Sequence, residues 1–344
     1  MSAIGIVGAG AWGTALAQLL SGDGGEVVLW ARDPRVAETI NQTRTNPVYL
    51  PGVTLHPAIR ATADADDLAD MQTILLVTPA QAMGAVLDAL PDCRGDLVLC
   101  SKGIEAGTGR LMAEVARAAR PHAQIAILSG PTFAHEVAGG LPTAVTLACG
   151  GGRAQWLRLA PVIARPGFRP YYSHDLIGVE VGGAVKNVLA VACGVVEGLG
   201  LGQNARAALI SRGFAEMVRF GLAFGAEAET LTGLSGLGDL VLTCNSMSSR
   251  NFSLGRTLGQ GVAAADVLAG RRTIAEGAFT APVLVELARA RGIALPIAEA
   301  VAALVAGTVS ARAMAEALLA RPLRSELDGR GPTRSATSGE PQVG

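Results

Sequence analysis

Lysine is almost missing from this chain: Lys102 and Lys186 are the only lysines among 28 basic residues, and every other cation is an arginine. Arginine stays protonated at any physiological pH, whereas a buried lysine can give up a proton and take it back. Lysines kept in such a chain are candidates for proton chemistry, unless base composition alone has spared them. Cysteine and histidine are scarce too. Cys93, Cys100, Cys149, Cys193 and Cys244 lie far apart with no C-x-x-C pair, and His56, His122, His135 and His174 show no metal-ligand spacing. This argues against a disulfide framework and a zinc site, and leaves a metal-free protein with reduced thiols, as in the cytoplasm.

Charge is low: 17% of residues are charged and the net charge is −1, with a pI of about 6.4. No basic field exists to attract nucleic acid or acidic membranes. Long apolar runs are absent as well, despite a mean hydropathy of +0.38. The longest stretch, residues 188–196, is too short for a membrane span and is flanked by Asn187 and Glu197. Met1-Ser2-Ala3 leads into an apolar segment with no basic region or cleavage site, so no signal peptide is expected.

What is present is chain enough for about two globular domains, 344 residues of which 50% are hydrophobic. Residues 3–7, 27–30, 73–77, 96–100, 124–128 and 143–148 read as short strands that are apolar on both faces, as in parallel strands buried under helices. Helical patterns at 13–21, 80–89, 109–119, 132–138 and 153–163 separate them, which points to a doubly wound α/β domain. After Tyr172-Ser173-His174-Asp175 only helical periodicity remains, at 176–199, 204–224, 249–260, 278–291, 297–306 and 310–320. The expected division is residues 1–175, an all-α domain at 176–321, and a disordered tail at 322–344 where Gly, Ser, Pro and charge dominate.

Gly8-Ala9-Gly10-Ala11-Trp12-Gly13 is a G-x-G-x-x-G run between the first strand and a helix. Gly8 permits the tight turn, Gly10 admits a pyrophosphate against the backbone, and Gly13 lets helix pack on strand. The helix N-terminus supplies N–H groups to the phosphates. This is a Rossmann-type dinucleotide fingerprint. The second strand ends Trp30-Ala31-Arg32-Asp33. Arg32 suits the 2′-phosphate of NADP(H), Asp33 keeps NAD(H) open, and a surface arginine is the plain alternative.

Ligands of such sheets sit beyond the carboxyl ends of the strands. Thr78-Pro79, Ser101-Lys102-Gly103 and Ser129-Gly130-Pro131-Thr132 all fall there, so Lys102 is aimed at the crevice. Lys186 lies in an apolar, small-residue helix that would strip water from its amine and lower its pKa, unless its stem merely snorkels across the surface. A Gly-rich loop delivers Asp239 and, one helical turn later, Thr243. Asp239 either tunes Lys186 or caps a helix, the cap being the more ordinary reading of an aspartate. Ser249-Arg250-Asn251 opens another helix with a hydroxyl, a guanidinium and an amide, a set suited to an anion.

Seven markers in order then carry a resemblance: the fingerprint extended through Thr14-Ala15-Leu16-Ala17, Ser101-Lys102-Gly103-Ile104-Glu105, Gly130-Pro131-Thr132-Phe133-Ala134, Val185-Lys186-Asn187, Gly236-Leu237-Gly238-Asp239-Leu240, Ser249-Arg250-Asn251 and Ala275-Glu276-Gly277. The chain resembles the bacterial NAD(P)-dependent glycerol-3-phosphate dehydrogenase family over residues 3–321. The resemblance implies a Rossmann-type sheet followed by an all-α domain like the C-terminal part of 6-phosphogluconate dehydrogenase. It also implies reversible hydride transfer between NAD(P)H and dihydroxyacetone phosphate, giving sn-glycerol 3-phosphate for glycerophospholipid synthesis.

By the same resemblance Lys186 is the proton donor and acceptor. Lys102, Gly130, Thr132, Asp239, Ser249, Arg250 and Asn251 line the substrate site, with Thr243 on the same face as Asp239. Ala11, Trp12, Arg32, Ala134, Arg250, Ile274 and Glu276 meet the cofactor beside Gly8, Gly10 and Gly13; Lys102 is near both ligands, and Tyr49 is a weaker cofactor-side candidate. Some relatives carry Ser in place of Ala11, so only a backbone contact carries over there. A cytoplasmic homodimer fits the family. A β-hydroxyacid or 6-phosphogluconate-type dehydrogenase would instead place lysine and asparagine three or four positions apart, and a dinucleotide sensor would need no Lys186, Asp239 or Ser249–Asn251 cluster.

Overall fold

The structure, a computed structural model, describes residues 3–269 and 275–322; Ile274 and all but the first residue of the expected tail lie outside the described residues. Strand β1 (Ile4–Val7) leads through the glycine turn into α1 (Ala11–Leu20), followed by β2 (Val27–Trp30), α2 (Pro34–Thr43) and β3 (Ile59–Thr62). Then come β4 (Thr73–Leu76), α3 (Met83–Ala89), β5 (Asp96–Leu99), α4 (Met112–Ala119) and β6 (Gln124–Ser129). The α/β part ends with α5 (Ala134–Ala138), β7 (Thr143–Cys149), α6 (Gly152–Ile163) and β8 (Phe168–Ser173).

The eight strands form one sheet in the order β3-β2-β1-β4-β5-β6-β7-β8. Period-two alternation sends Ile6, Leu29 and Leu75 into the core on one face and Val7, Val28 and Leu76 into the core on the other. The apolar central strands are where the sequence puts them. Two edge strands are not in that reading. In β3, Arg60 is exposed between buried neighbours, and β8 contains Pro170, which an edge tolerates because one row of N–H groups has no partner to serve. Nor is the sheet wholly parallel, since β7 runs antiparallel to β6.

Several helices depart from the periodicity for local reasons. The helix expected at 109–119 starts only at Met112, because Gly109 has φ of 68° and Leu111 bridges back to Ile104. The segment expected at 132–138 turns helical at Ala134. Residues 80–89 divide into a 3-10 turn and α3. Helix α2 is not among the expected helices, because its signal is the cap and not a buried face: Asp33 accepts from the Arg35 N–H and Pro34 takes the first position, while only Ala37 and Ile40 are buried.

Beyond β8 the described chain is helical: α7 (Leu176–Gly198), α8 (Gly202–Ala223), α9 (Ala228–Thr232), a π-turn at Leu234–Gly238, and α10 (Asp239–Cys244). Next come α11 (Arg250–Gly259), α12 (Ala264–Ala269), α13 (Glu276–Ala290), α14 (Pro296–Val305) and α15 (Ala311–Leu319). The fold is therefore an N-terminal Rossmann-like sheet domain followed by a helical C-terminal domain.

Helix α7 is the axis of the helical half. Its length and mean hydropathy of 1.6 would allow a membrane span by those criteria alone, but 94% of that window is buried inside the protein. Asp175 starts it, accepting from Gly178 N–H at 2.7 Å through one oxygen and from Glu227 N–H at 2.8 Å through the other. Its contact with α11 is backbone to backbone. A Cβ added at Gly255 would stand 1.9 Å from the Val191 carbonyl oxygen, and one at Gly194 would stand 2.1 Å from that of Phe252. Glu180 reaches the other way, accepting from the Ala113 N–H at 2.7 Å and so capping α4 of the sheet domain. Burial pushes this carboxyl up to about 8, against the opposing pull of that N–H.

Candidate active site

The glycine turn is built for close approach. Gly8 has φ of 113°, and a Cβ there would lie 2.6 Å from the Val77 carbonyl oxygen. At Gly13 it would lie 1.9 Å from the Gly8 carbonyl oxygen, whereas at Gly10 nothing stands within 4 Å. Gly8 and Gly13 thus fit the chain to itself, and Gly10 leaves open the space a pyrophosphate needs. Ala11 and Trp12 start α1, whose first-turn N–H groups have no partner within the helix and suit a phosphate. Asn46, buried, ties the turn down by donating to the Ala9 carbonyl at 2.9 Å and to Thr14 Oγ1 at 2.8 Å. The loop after Asn46 carries Tyr49, which is exposed.

At the end of β2, Arg32 is exposed one residue past buried Ala31. Asp33 is committed elsewhere, to the cap of α2 and to the guanidinium of Arg35 at 3.0 and 2.8 Å, and Arg35 holds its carboxyl below the usual range. Arg32 follows β2, whose last residue Trp30 accepts from the Gly8 N–H at 3.0 Å, and Tyr49 lies in the loop that Asn46 holds to the turn.

The lysines converge on one carboxylate. Lys186 Nζ, on α7, donates to Asp239 Oδ1 at 2.5 Å and to Thr243 Oγ1 at 3.0 Å. Lys102 Nζ, in the loop after β5, donates to Asp239 Oδ2 at 2.7 Å and to the Gly130 carbonyl at 3.4 Å. Asp239 is wholly buried. It is the first residue of α10 and spends its oxygens on the lysines and Thr243, so the ordinary cap reading is corrected. Burial alone would raise its carboxyl, but the two ammoniums together hold it below the ordinary value. Lys186 moves the other way: burial, aided by the charge of Lys102, outweighs Asp239 and lowers its pKa to about 8. The snorkelling alternative fails, since Lys186 is only 6% exposed.

Around this triad, Gly130 takes φ of 150° and accepts from Thr132 Oγ1 at 3.3 Å. A narrow crevice is lined by Trp12, Lys102, Leu128, Ser129, Thr132 and Val145, with Ala134 half-buried at the start of α5. Ser249 caps α11, its Oγ accepting from the Phe252 N–H at 3.2 Å. Arg250 is exposed at the first turn of α11, within the electrostatic reach of Glu276. Asn251 is buried, and its side chain bonds Asn187 and the backbone of Gly277.

Glu276 opens α13 and accepts from the Ala80 N–H at 3.3 Å. Burial raises its carboxyl, against that N–H and Arg250, and its second oxygen has no partner among the described residues. The buried hydroxyls of Thr78 and Ser129, at the ends of β4 and β6, and of Thr280 on α13 are in the same position. Polar atoms buried without partners are costly; Glu276 Oε2 and Thr280 Oγ1 both stand by Gly103, next to Lys102, where they fit the polar edge of a ligand. A wider apolar groove lies against β8, lined by Trp156, Leu157, Pro161 and Phe168 among others, but none of these site residues borders it. Among the described residues no group of three or more His, Cys, Asp or Glu is placed to hold a metal. Ser129 is expected only as part of the polar strand end at the ligand side and Asn187 only as part of a family marker, whereas Asn46 has no place in the sequence-based expectation; for the first two the signal is a polar residue in an otherwise apolar strand end or helix, and for Asn46, in a loop, there is none.

Residues 3–154 match the profile of the NAD-dependent glycerol-3-phosphate dehydrogenase N-terminus, and residues 175–316 match that of its C-terminus. A glycerol-3-phosphate dehydrogenase (NAD(P)+) of Novosphingobium aromaticivorans is 68% identical over 94% of this chain and 98% of its own length. The protein of that name from Erythrobacter litoralis is 65% identical over 94% and 97%. The crystal structure of glycerol-3-phosphate dehydrogenase from Coxiella burnetii superposes with a TM-score of 0.88 at 38% identity, covering 93% of this chain and 99% of that one.

Proposed function

The chain belongs to the NAD-dependent glycerol-3-phosphate dehydrogenase family, and from that premise we propose how its residues divide the work of interconverting dihydroxyacetone phosphate and sn-glycerol 3-phosphate. The observation that carries the reading is the pair of lysines sharing Asp239. When bound, NAD(P)(H) supplies or accepts the hydride at the central carbon of the substrate. Lys186 holds the proton for the oxygen on that carbon, giving it up during ketone reduction and taking it back during alcohol oxidation. Asp239 and Thr243 fix the Nζ of Lys186, and Lys102 adds a second ammonium where negative charge develops. Two ammoniums and one carboxylate leave the triad with a net positive charge, which favours an anionic substrate.

Arg250, with the N-terminus of α11, grips the phosphate, while Ser249, Asn251, Gly130 and Thr132 shape its surroundings. Gly8, Gly10 and Gly13 with Ala11 and Trp12 cradle the pyrophosphate. Ala134 and Glu276 meet the nicotinamide half, and the unpartnered oxygen of Glu276 supports this. Ile274, assigned to the cofactor by resemblance, lies outside the described residues. Arg32 meets the 2′-phosphate, and because Asp33 is occupied by Arg35, NADP(H) is the preferred cofactor over NAD(H). Tyr49 is kept as a cofactor-side contact on its loop.

We also take residues 1–175 and 176–321 as the two domains and the protein as a cytoplasmic homodimer serving glycerophospholipid synthesis. Its five buried free thiols suit a reducing compartment. The test is NADPH absorbance with dihydroxyacetone phosphate, β-hydroxyacids and 6-phosphogluconate as separate substrates. Oxidation of NADPH with the triose phosphate is expected; tight NADPH binding without any turnover would remove the assignment.

A further inference from the structure

Asn187 lies next to Lys186 on α7 but faces another way, as consecutive helical residues must. It is 6% exposed and Asn251 is 8% exposed, so both amides need partners. Asn251 Oδ1 accepts from the Gly277 N–H at 2.9 Å. Its Nδ2 donates to Asn187 Oδ1 at 2.9 Å, and Asn187 Nδ2 donates to the Gly183 carbonyl at 3.2 Å. A backbone donor at one end and a backbone acceptor at the other dictate which way each amide is turned. The chain of bonds crosses α7, α11 and α13.

Each member stands directly beside a residue assigned above to a ligand: Asn187 beside Lys186, Asn251 beside Arg250, and Gly277 beside Glu276. The joint is tight, because a Cβ at Gly277 would lie 2.4 Å from the Asn187 carbonyl oxygen and 3.1 Å from Asn251 Oδ1. Helix α13 has no side-chain cap of its own at Ala275; the Asn251 amide oxygen takes that place from a neighbouring helix.

We propose that Asn187 is a positioning residue which, through its bond to Asn251, sets the phosphate grip on α11 at a fixed distance from the proton donor on α7. The proposal rests on the reading of the site given above. Lys186 has its own partners on α10, and Gly277 keeps its bond to Asn251 when Asn187 is lost. Removing Asn187 therefore releases the α11 side alone.

Asn187→Ser isolates this bond: a helical serine can still donate to the carbonyl four residues back, but it is too short to reach Asn251. The expected result is a KM for dihydroxyacetone phosphate raised about tenfold, with kcat within about twofold. The Kd of NADPH, titrated by fluorescence without substrate, stays within the same factor. Combined with Arg250→Ala, the loss in kcat/KM should be no greater than that of Arg250→Ala alone, because Asn187 acts through that grip. Losses that multiply in the double variant, a fall in kcat at unchanged KM, or an equal weakening of NADPH would each overturn the proposal. Asn187→Ala runs through the same cycle with thermal melting recorded, so a folding defect peculiar to one replacement does not decide the question. If the unaltered enzyme leaves the triose phosphate unreduced, the functional assignment fails; if it turns over and the cycle is multiplicative, only the role of Asn187 fails.

Discussion

At the scale of single residues, the chemistry depends on an amine whose pKa stands near 8. Reduction needs the ammonium and oxidation needs the free amine. With rising pH, the reductive rate should therefore fall through about 8 and the oxidative rate should rise through it. Lys186→Arg should reduce kcat by about 10²–10⁴-fold and flatten both limbs, measured by steady-state kinetics across pH 6 to about 10; undiminished turnover would remove Lys186 from proton transfer. Arg32→Glu should raise the KM of NADPH by about tenfold or more, the worth of a charge-assisted hydrogen bond, and leave NADH far less affected. Equal effects on both cofactors would separate Arg32 from the 2′-phosphate. The lysines were legible in the sequence because rarity marked them, and the glycine run because spacing marked it. Asn46 and Asn187 were not, since asparagine is common and their partners lie far away along the chain.

At the scale of elements, close packing carries the site. Gly255 brings α11 against α7, and Gly255→Ala should cost about 1–3 kcal/mol, as overpacking does where backbone cannot yield. Thermal or urea denaturation measures it; an unchanged stability would mean that the helices part without cost. Central strands were readable because burial on both faces makes them continuously apolar. Edge strands β3 and β8 were not, because exposure lets Arg60 and Pro170 interrupt that pattern. Helix α10 is too short to show a period, so the spacing of Asp239 and Thr243 left two readings open, a cap or a partner for Lys186, and only the folded chain decides for the second.

At the scale of the whole molecule, Glu180 ties the helical half to α4 of the sheet domain. Its carboxyl ionises near 4.5 in the unfolded chain and near 8 when folded. Its stabilising contribution is thus complete below the lower value and disappears as pH rises through the upper one. Glu180→Gln keeps the acceptor for the Ala113 N–H and cannot ionise. The Tm of this variant relative to the unaltered protein should therefore climb between pH 5 and about 8, while a constant difference would contradict the linkage. Division into a sheet half and a helical half was visible from periodicity; the antiparallel turn at β7 was not, because strand direction leaves no mark on an apolar run. The backbone contact at Gly194 and Gly255 has one more effect. With no side-chain cushion between α7 and α11, the two helices cannot draw any nearer, so a shorter substrate cannot be met by closing this joint and must be sought through the loops that surround it.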